Sequence, residues 1–162
     1  MGLFFSGSEL VNIAVGIEQS GAAFYDSLAQ SATDENSRSI WKYLVLDETK
    51  HIEIFRRMLG SLSDYAPPET YTEEYDLYLR ALIDSAVFRN DEAARAMAQK
   101  AGSASEAITI GLSAEKDSIL FYLNLRELVL RPQREAVDRV IEEEKAHVRQ
   151  LSDLLKGFSR QQ

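Results

Sequence analysis

Two short patterns, Glu48-x-x-His51 and Glu144-x-x-His147, account for both histidines of this 162-residue chain. A lone glutamate lies upstream of each: Glu18 before the first pattern and Glu115 before the second. The chain is thus doubled, with one lone Glu and one Glu-x-x-His in each half. On a helix, residues three apart share one face and can serve one site. Four helices carrying this inventory can surround two metal ions in a bundle core. No average property of the chain constrains the fold as much, because six side chains must meet.

The spacing supports that meeting. The midpoint between Glu18 and Glu48 falls at position 33, inside the turn signal Ser31-Ala32-Thr33-Asp34. The midpoint between Glu115 and Glu144 falls beside Leu130-Arg131-Pro132. In two antiparallel helical hairpins, the glutamates of each half then stand at equal height, about 22 Å from the turn. Their neighbours at helical spacing are apolar, aromatic or small. Ala14, Gly21 and Tyr25 flank Glu18, and Leu44, Val45, Ile52 and Phe55 flank Glu48. Gly111, Leu112, Ile119 and Tyr122 flank Glu115, and Val140, Ile141, Val148 and Leu151 flank Glu144. Each carboxylate therefore projects from a buried stripe.

Burying unpaired carboxylates is costly, and no Lys or Arg sits on these stripes to offset them. Two divalent cations would balance four negative charges. Two neutral imidazoles would add nitrogen donors without changing that sum. A single Glu-x-x-His reads as a solvated helix face. Two in register, with matched lone glutamates, read as a metal centre.

The predicted fold is all-α: a four-helix bundle of two antiparallel hairpins with one long crossover, as a single domain over residues 1–162. Long helices are expected at about 8–30, 35–60, 103–130 and 132–157, with the crossover at 61–102. Ser8 is the expected cap of the first helix, and Gly60 closes the second. Ser103-x-x-Glu106 reads as a capping box, and Pro132 suits a first helical turn. Pro67-Pro68 interrupts the crossover, and Tyr71–Ser85 and Asp91–Lys100 read as shorter helices within it. The crossover is long enough to return along the bundle, so the second and third long helices run parallel. Its stripe of Tyr71, Tyr75, Tyr78 and Leu79 suits core packing or an interface. Nothing has strand-type alternation.

Composition narrows the function. The net charge is −8 and the basic residues are scattered, which argues against a nucleic-acid surface. With no cysteine, disulfides, thiolate zinc sites and iron–sulfur clusters are excluded. No apolar run approaches the roughly 20 residues of a membrane span, no signal peptide is recognised, and a cytoplasmic location is expected. Met1-Gly2-Leu3-Phe4-Phe5-Ser6 matches the permissive myristoylation pattern. The plainer reading is a tail that packs Leu3, Phe4 and Phe5 on the bundle end.

Further residues extend the pattern. Tyr25 and Tyr122 each follow their lone Glu by two helical turns. They are either core tyrosines or hydrogen-bond donors to site carboxylates across the bundle, and in the second case part of the reaction site. Asp47 and Glu143 immediately precede the two Glu-x-x-His patterns. They are either exposed acids or groups that orient the histidines. Trp41 reads as core or interface.

The segments Glu18 through Tyr25, Asp47-Glu48-Thr49-Lys50-His51, Glu115 through Tyr122 and Glu143-Glu144-Lys145-Ala146-His147 resemble the ferritin-like di-iron carboxylate superfamily. Within it, they resemble the rubrerythrin branch, here without a rubredoxin domain. The resemblance implies six ligands: Glu18, Glu48, His51, Glu115, Glu144 and His147. Glu48 and Glu144 would bridge two metal ions, and Glu18 and Glu115 would be terminal. Iron is the metal implied first, with manganese or zinc as alternatives.

Rubrerythrins reduce hydrogen peroxide at such centres, and relatives oxidise ferrous iron with oxygen. The implied function is thus an oxidoreductase acting on peroxide or oxygen, as a homodimer. Rubrerythrins typically carry another glutamate three positions after the third-helix ligand. Here that position is Ser118, so ligand exchange through it is not implied. They also usually carry a cysteine-bound iron domain that feeds electrons, so this chain needs a separate donor protein. The alternatives are a ferroxidase that stores or passes on iron, resembling bacterioferritin in its ligand set, and a non-catalytic bundle with structural metals. Hydroxylation of an organic substrate is a further alternative.

Overall fold

A computed structural model describes residues 4–62 and 68–159, and among these it has six helices and no strand. They are α1 (Gly7–Ser31), α2 (Glu35–Leu59), α3 (Glu73–Ser85), α4 (Asp91–Lys100), α5 (Ala104–Leu128) and α6 (Arg131–Ser159). The start of the myristoylation-type pattern and Pro67 lie outside the described residues. Among the described residues, no helix is long and apolar enough to cross a membrane.

Local chemistry sets the helix ends. Ser6, rather than the expected Ser8, caps α1. Its Oγ accepts the Glu9 N–H at 3.1 Å, while the Glu9 carboxylate accepts the Ser6 N–H at 2.7 Å. This box satisfies two N–H groups at once. Ser8 has only Val11 three residues on and offers no such closure.

Asp34 caps α2, and Gly60 closes it as expected. Thr72 caps α3, which therefore starts at Glu73 and not Tyr71. Asn90 caps α4. Ser103 caps α5 as predicted, although Glu106 reaches back to the Gly102 N–H instead of closing the box on Ser103. The chain turns extended at Val129, so α5 stops at Leu128. Pro132 then occupies the first turn of α6, where a missing N–H costs nothing.

Two apolar clusters fill the bundle. One joins the start of α1 (Leu10, Val11), the ends of α2 (Phe55, Met58) and α5 (Leu125, Leu128), and the start of α6 (Val137, Val140). The other joins the end of α1 (Phe24, Leu28), the starts of α2 (Trp41, Leu44) and α5 (Ile108), and the end of α6 (Leu151). Hence α2 and α5 run parallel, and each hairpin is antiparallel. The crossover travels the bundle's length: Tyr71 and Leu79 belong to the first cluster, and Ala94 and Ala98 to the second. Helix α3 lies on α5, and α4 lies on α1. Of the tyrosine stripe, Tyr71 and Leu79 are core, while Tyr78 is exposed. Each buried Leu or Phe contributes about 1.5–3 kcal/mol. The two clusters are separated by a layer of polar side chains.

Candidate metal centre

That layer is built from one or two turns of each long helix. Helix α1 brings Glu18, α2 brings Glu48 and His51, α5 brings Glu115, and α6 brings Glu144 and His147. None of the six is more than 4% exposed. They converge in two overlapping sets: Glu18, Glu48, His51 and Glu144, and Glu48, Glu115, Glu144 and His147. Within each set, one donor atom per residue lies within 4.8 Å of the others. Glu48 and Glu144 belong to both sets, which is the position a bridging carboxylate takes.

The imidazoles turn Nδ1 inward. His51 Nδ1 lies 3.2 Å from Glu18 Oε2 and 2.9 Å from Glu144 Oε1. His147 Nδ1 lies 3.4 Å from Glu144 Oε2, 3.5 Å from Glu115 Oε2 and 3.6 Å from Glu48 Oε1. The outer nitrogens meet acids from the opposite hairpin. His51 Nε2 is 2.7 Å from Glu143 Oε2, and His147 Nε2 is 3.3 Å from Asp47 Oδ2. Such contacts hold a ring's orientation and direct its other nitrogen at the centre. The sequence named both acids, but not the exchange between hairpins.

The tyrosines cross the bundle in the same way. Tyr25 on α1 donates to Glu115 Oε1, and Tyr122 on α5 donates to Glu18 Oε1 at 2.5 Å. Trp41 is buried and stacks on Tyr25 with ring centroids 5.9 Å apart. Gly21, which the sequence marks only as a neighbour of Glu18 on its helix face, is needed for space. A Cβ there would lie 2.6 Å from Glu48 Oε2.

The donor set fits a pair of cations. Glu48 Oε1, both Glu144 carboxylate oxygens and His147 Nδ1 are buried without a well-aligned hydrogen bond, although His51 Nδ1 approaches Glu144 Oε1. Apart from Arg134 Nε, these are all such side-chain atoms among the described residues. A folded core rarely leaves polar atoms unpaired, and here they cluster where carboxylates crowd together. Oxygen and imidazole donors suit divalent first-row ions.

With protons as the only counter-charge, the same crowding perturbs every equilibrium in the layer. Burial, then the nearby Glu18 and Glu144 charges, push Glu48 well above the usual carboxylate range. Burial and Glu144 take Glu115 up to about 8. Burial opposes charging of His51, but the Glu144 and Glu18 carboxylates facing Nδ1 outweigh it and raise the ring to about 11. His147 is likewise raised to about 10, with Glu115 and Glu144 overcoming burial. Burial, reinforced by Glu115 for Tyr25 and by Glu18 for Tyr122, keeps both phenols protonated. Cations entering the layer must displace protons from it.

Comparison with known proteins agrees with this geometry. A Thermotoga maritima protein, provisionally assigned from its crystal structure as a ferritin-like diiron-carboxylate protein, has the same fold. It is 24% identical, with a TM-score of 0.70 over 94% of this chain and 96% of that one. No curated protein matches the sequence. The rubrerythrin family profile matches residues 9–155. That span covers nearly all of the four long helices and every side chain of the polar layer, and the chain belongs to the rubrerythrin family.

Proposed function

We propose that the protein is a di-iron oxidoreductase that reduces peroxide or oxygen with electrons from a separate donor protein. The supporting observation is the pair of overlapping donor sets, each with three carboxylates and one imidazole. Glu18, Glu48, His51 and Glu144 would hold one ion, and Glu48, Glu115, Glu144 and His147 the other. When bound, two ferrous ions supply two electrons at one place to a two-electron oxidant.

The chain's own groups do the rest. Asp47 and Glu143 fix the two rings from outside. Tyr25 and Tyr122 hold hydroxyl protons beside Glu115 and Glu18, where a reduced oxygen species needs them. The two apolar clusters keep bulk water from both ends of the layer. Ser118 gives its hydroxyl to the Ala114 carbonyl at 3.0 Å, and its position supplies no seventh carboxylate. The reading therefore uses a fixed set of six donors.

Stopped-flow mixing of anaerobic, ferrous-loaded protein with peroxide tests the proposal. Oxidation much faster than that of free iron in the same buffer is expected, and no acceleration would sink it. The proposal includes a cytoplasmic homodimer. A large closed oligomer in gel filtration would favour iron storage instead.

A further inference from the structure

A cleft of about 870 Å³ opens between α1, α5 and the connection between α3 and α4, and reaches Tyr25, Glu48 and Glu115 at its inner end. A water molecule's share of the liquid is about 30 Å³. The space therefore exceeds what peroxide or oxygen needs by more than tenfold. Its lining is mixed, with an apolar wall from Ile17 of α1, Phe121 of α5, Ile83 of α3 and Val87 and Phe88 of the connection, and polar side chains between them.

The roof is tied to both helices. Val87 N–H donates to Asp117 of α5 at 2.8 Å. Phe88 packs on Phe24 of α1 with ring centroids 4.9 Å apart. The Ser20 hydroxyl of α1 donates to Asp91, the first residue of α4, at 3.0 Å. These ties hold the walls apart.

Gly16 gives an independent indication. It lies in the interior of α1, where glycine is less favourable than alanine. Among the described residues no glycine has positive φ, so the backbone does not require it. A Cβ at position 16 would meet nothing within 4 Å, so packing does not require it either. The missing side chain does enlarge the cleft, whose wall Gly16 forms. Charge restricts the occupant: apart from the two carboxylates of the metal centre, the lining carries Asp84, Asp91 and Asp117 against Arg89 alone, which disfavours an anion.

We propose that this cleft binds a neutral, largely apolar organic molecule of drug-like size, with its inner end against Tyr25, Glu48 and Glu115. Binding of this kind goes beyond reduction of peroxide or oxygen and does not depend on it. The experiment is calorimetric titration of the protein as purified, its metal content measured in parallel, with 1-decanol and then decanoate. Saturable one-to-one binding of decanol is expected, with decanoate at least tenfold weaker. Gly16→Phe, which fills the cleft from a position with no neighbours, should weaken decanol binding at least tenfold with unchanged circular dichroism. Gly16→Leu serves the same purpose if the phenylalanine variant does not fold.

Absence of saturable binding overturns the proposal. So does undiminished binding by the filled variant, or decanoate binding as tightly as decanol. Each of these outcomes leaves the metal centre to be judged by metal content and the peroxide reaction.

Discussion

Replacing Gly21 by alanine should move the stability of the metal-free and metal-loaded protein in opposite directions. The new Cβ would sit 2.6 Å from Glu48 Oε2 and 3.1 Å from Glu48 Cδ. Comfortable contact between heavy atoms begins near 3.5 Å, so the carboxylate must retreat by roughly 1 Å. It is the far end of a flexible side chain, and the backbone need not follow. Within a helix, Gly→Ala itself contributes about 0.8–1 kcal/mol. Chelated protein should therefore melt about 2–4 °C higher than wild type.

Metal–ligand distances, in contrast, tolerate only about 0.2 Å, and Glu48 belongs to both donor sets. A tenfold to hundredfold loss of affinity, about 1.4–2.7 kcal/mol per ion, should outweigh the helix gain. The loaded variant should then melt below loaded wild type. Gly16→Ala is the matched control, because its Cβ meets nothing within 4 Å. It should raise both melting temperatures equally. Differential scanning fluorimetry with and without chelator, joined to competition against a chromophoric chelator, reads these quantities. Wild-type metal affinity in Gly21→Ala, or equal loss of stability in both forms, would refute the reasoning.

Three other outcomes follow from the same layer. His51→Ala removes the one nitrogen donor of its set, so elemental analysis should fall from two ions per chain to one; retention of both argues against that ligand assignment. Tyr25→Phe keeps the ring beside Trp41 but strips the proton donor from Glu115. It should slow the peroxide step by about 100-fold with metal content intact, and an unchanged rate would reduce Tyr25 to a core residue. In chelated protein, the folded-state values of Glu115, His51 and His147 lie above their ordinary ones, at about 8, about 11 and about 10. The folded chain then binds protons more tightly than the unfolded chain, so this stability is present at low pH and lost as pH rises through the folded values. The carboxylate part is lost between the ordinary value of 4.5 and about 8. The stabilisation by added metal should therefore widen over that range, and a constant gain would contradict the shifts.

The sequence disclosed those features that repeat along a helix. Apolar stripes and two turn signals located four long helices, and the doubled Glu and Glu-x-x-His placed six side chains at one level. Features set by the rotation of one hairpin against the other were not disclosed. Asp47 lies three residues before Lys50 and pairs with it at 2.6 Å, which is legible. That it also faces His147 of the other hairpin depends on how α2 and α6 meet. The cleft was hidden for a related reason: its roof is secured to α5 through the Val87 backbone N–H, a group every residue but proline carries. Ser6 is legible in principle, since Ser6-x-x-Glu9 has the capping-box spacing.

The same exchange recurs at each layer of the centre. One donor set takes Glu18, Glu48 and His51 from the first hairpin and Glu144 from the second. The other takes Glu115, Glu144 and His147 from the second and Glu48 from the first. Tyr25 holds Glu115 while Tyr122 holds Glu18, and Asp47 faces His147 while Glu143 faces His51. No donor set is complete within one hairpin, and no supporting group serves its own half. Helix α1 packs closely on α2, and α5 on α6, whereas α2 and α6 touch sparingly. In the polar layer between the two apolar clusters, like charges from both sides would drive the halves apart. Two cations held by both sets, which share Glu48 and Glu144, would turn that repulsion into a cross-link. A pair of bound cations would therefore join the hairpins, and a single hairpin would hold neither ion firmly.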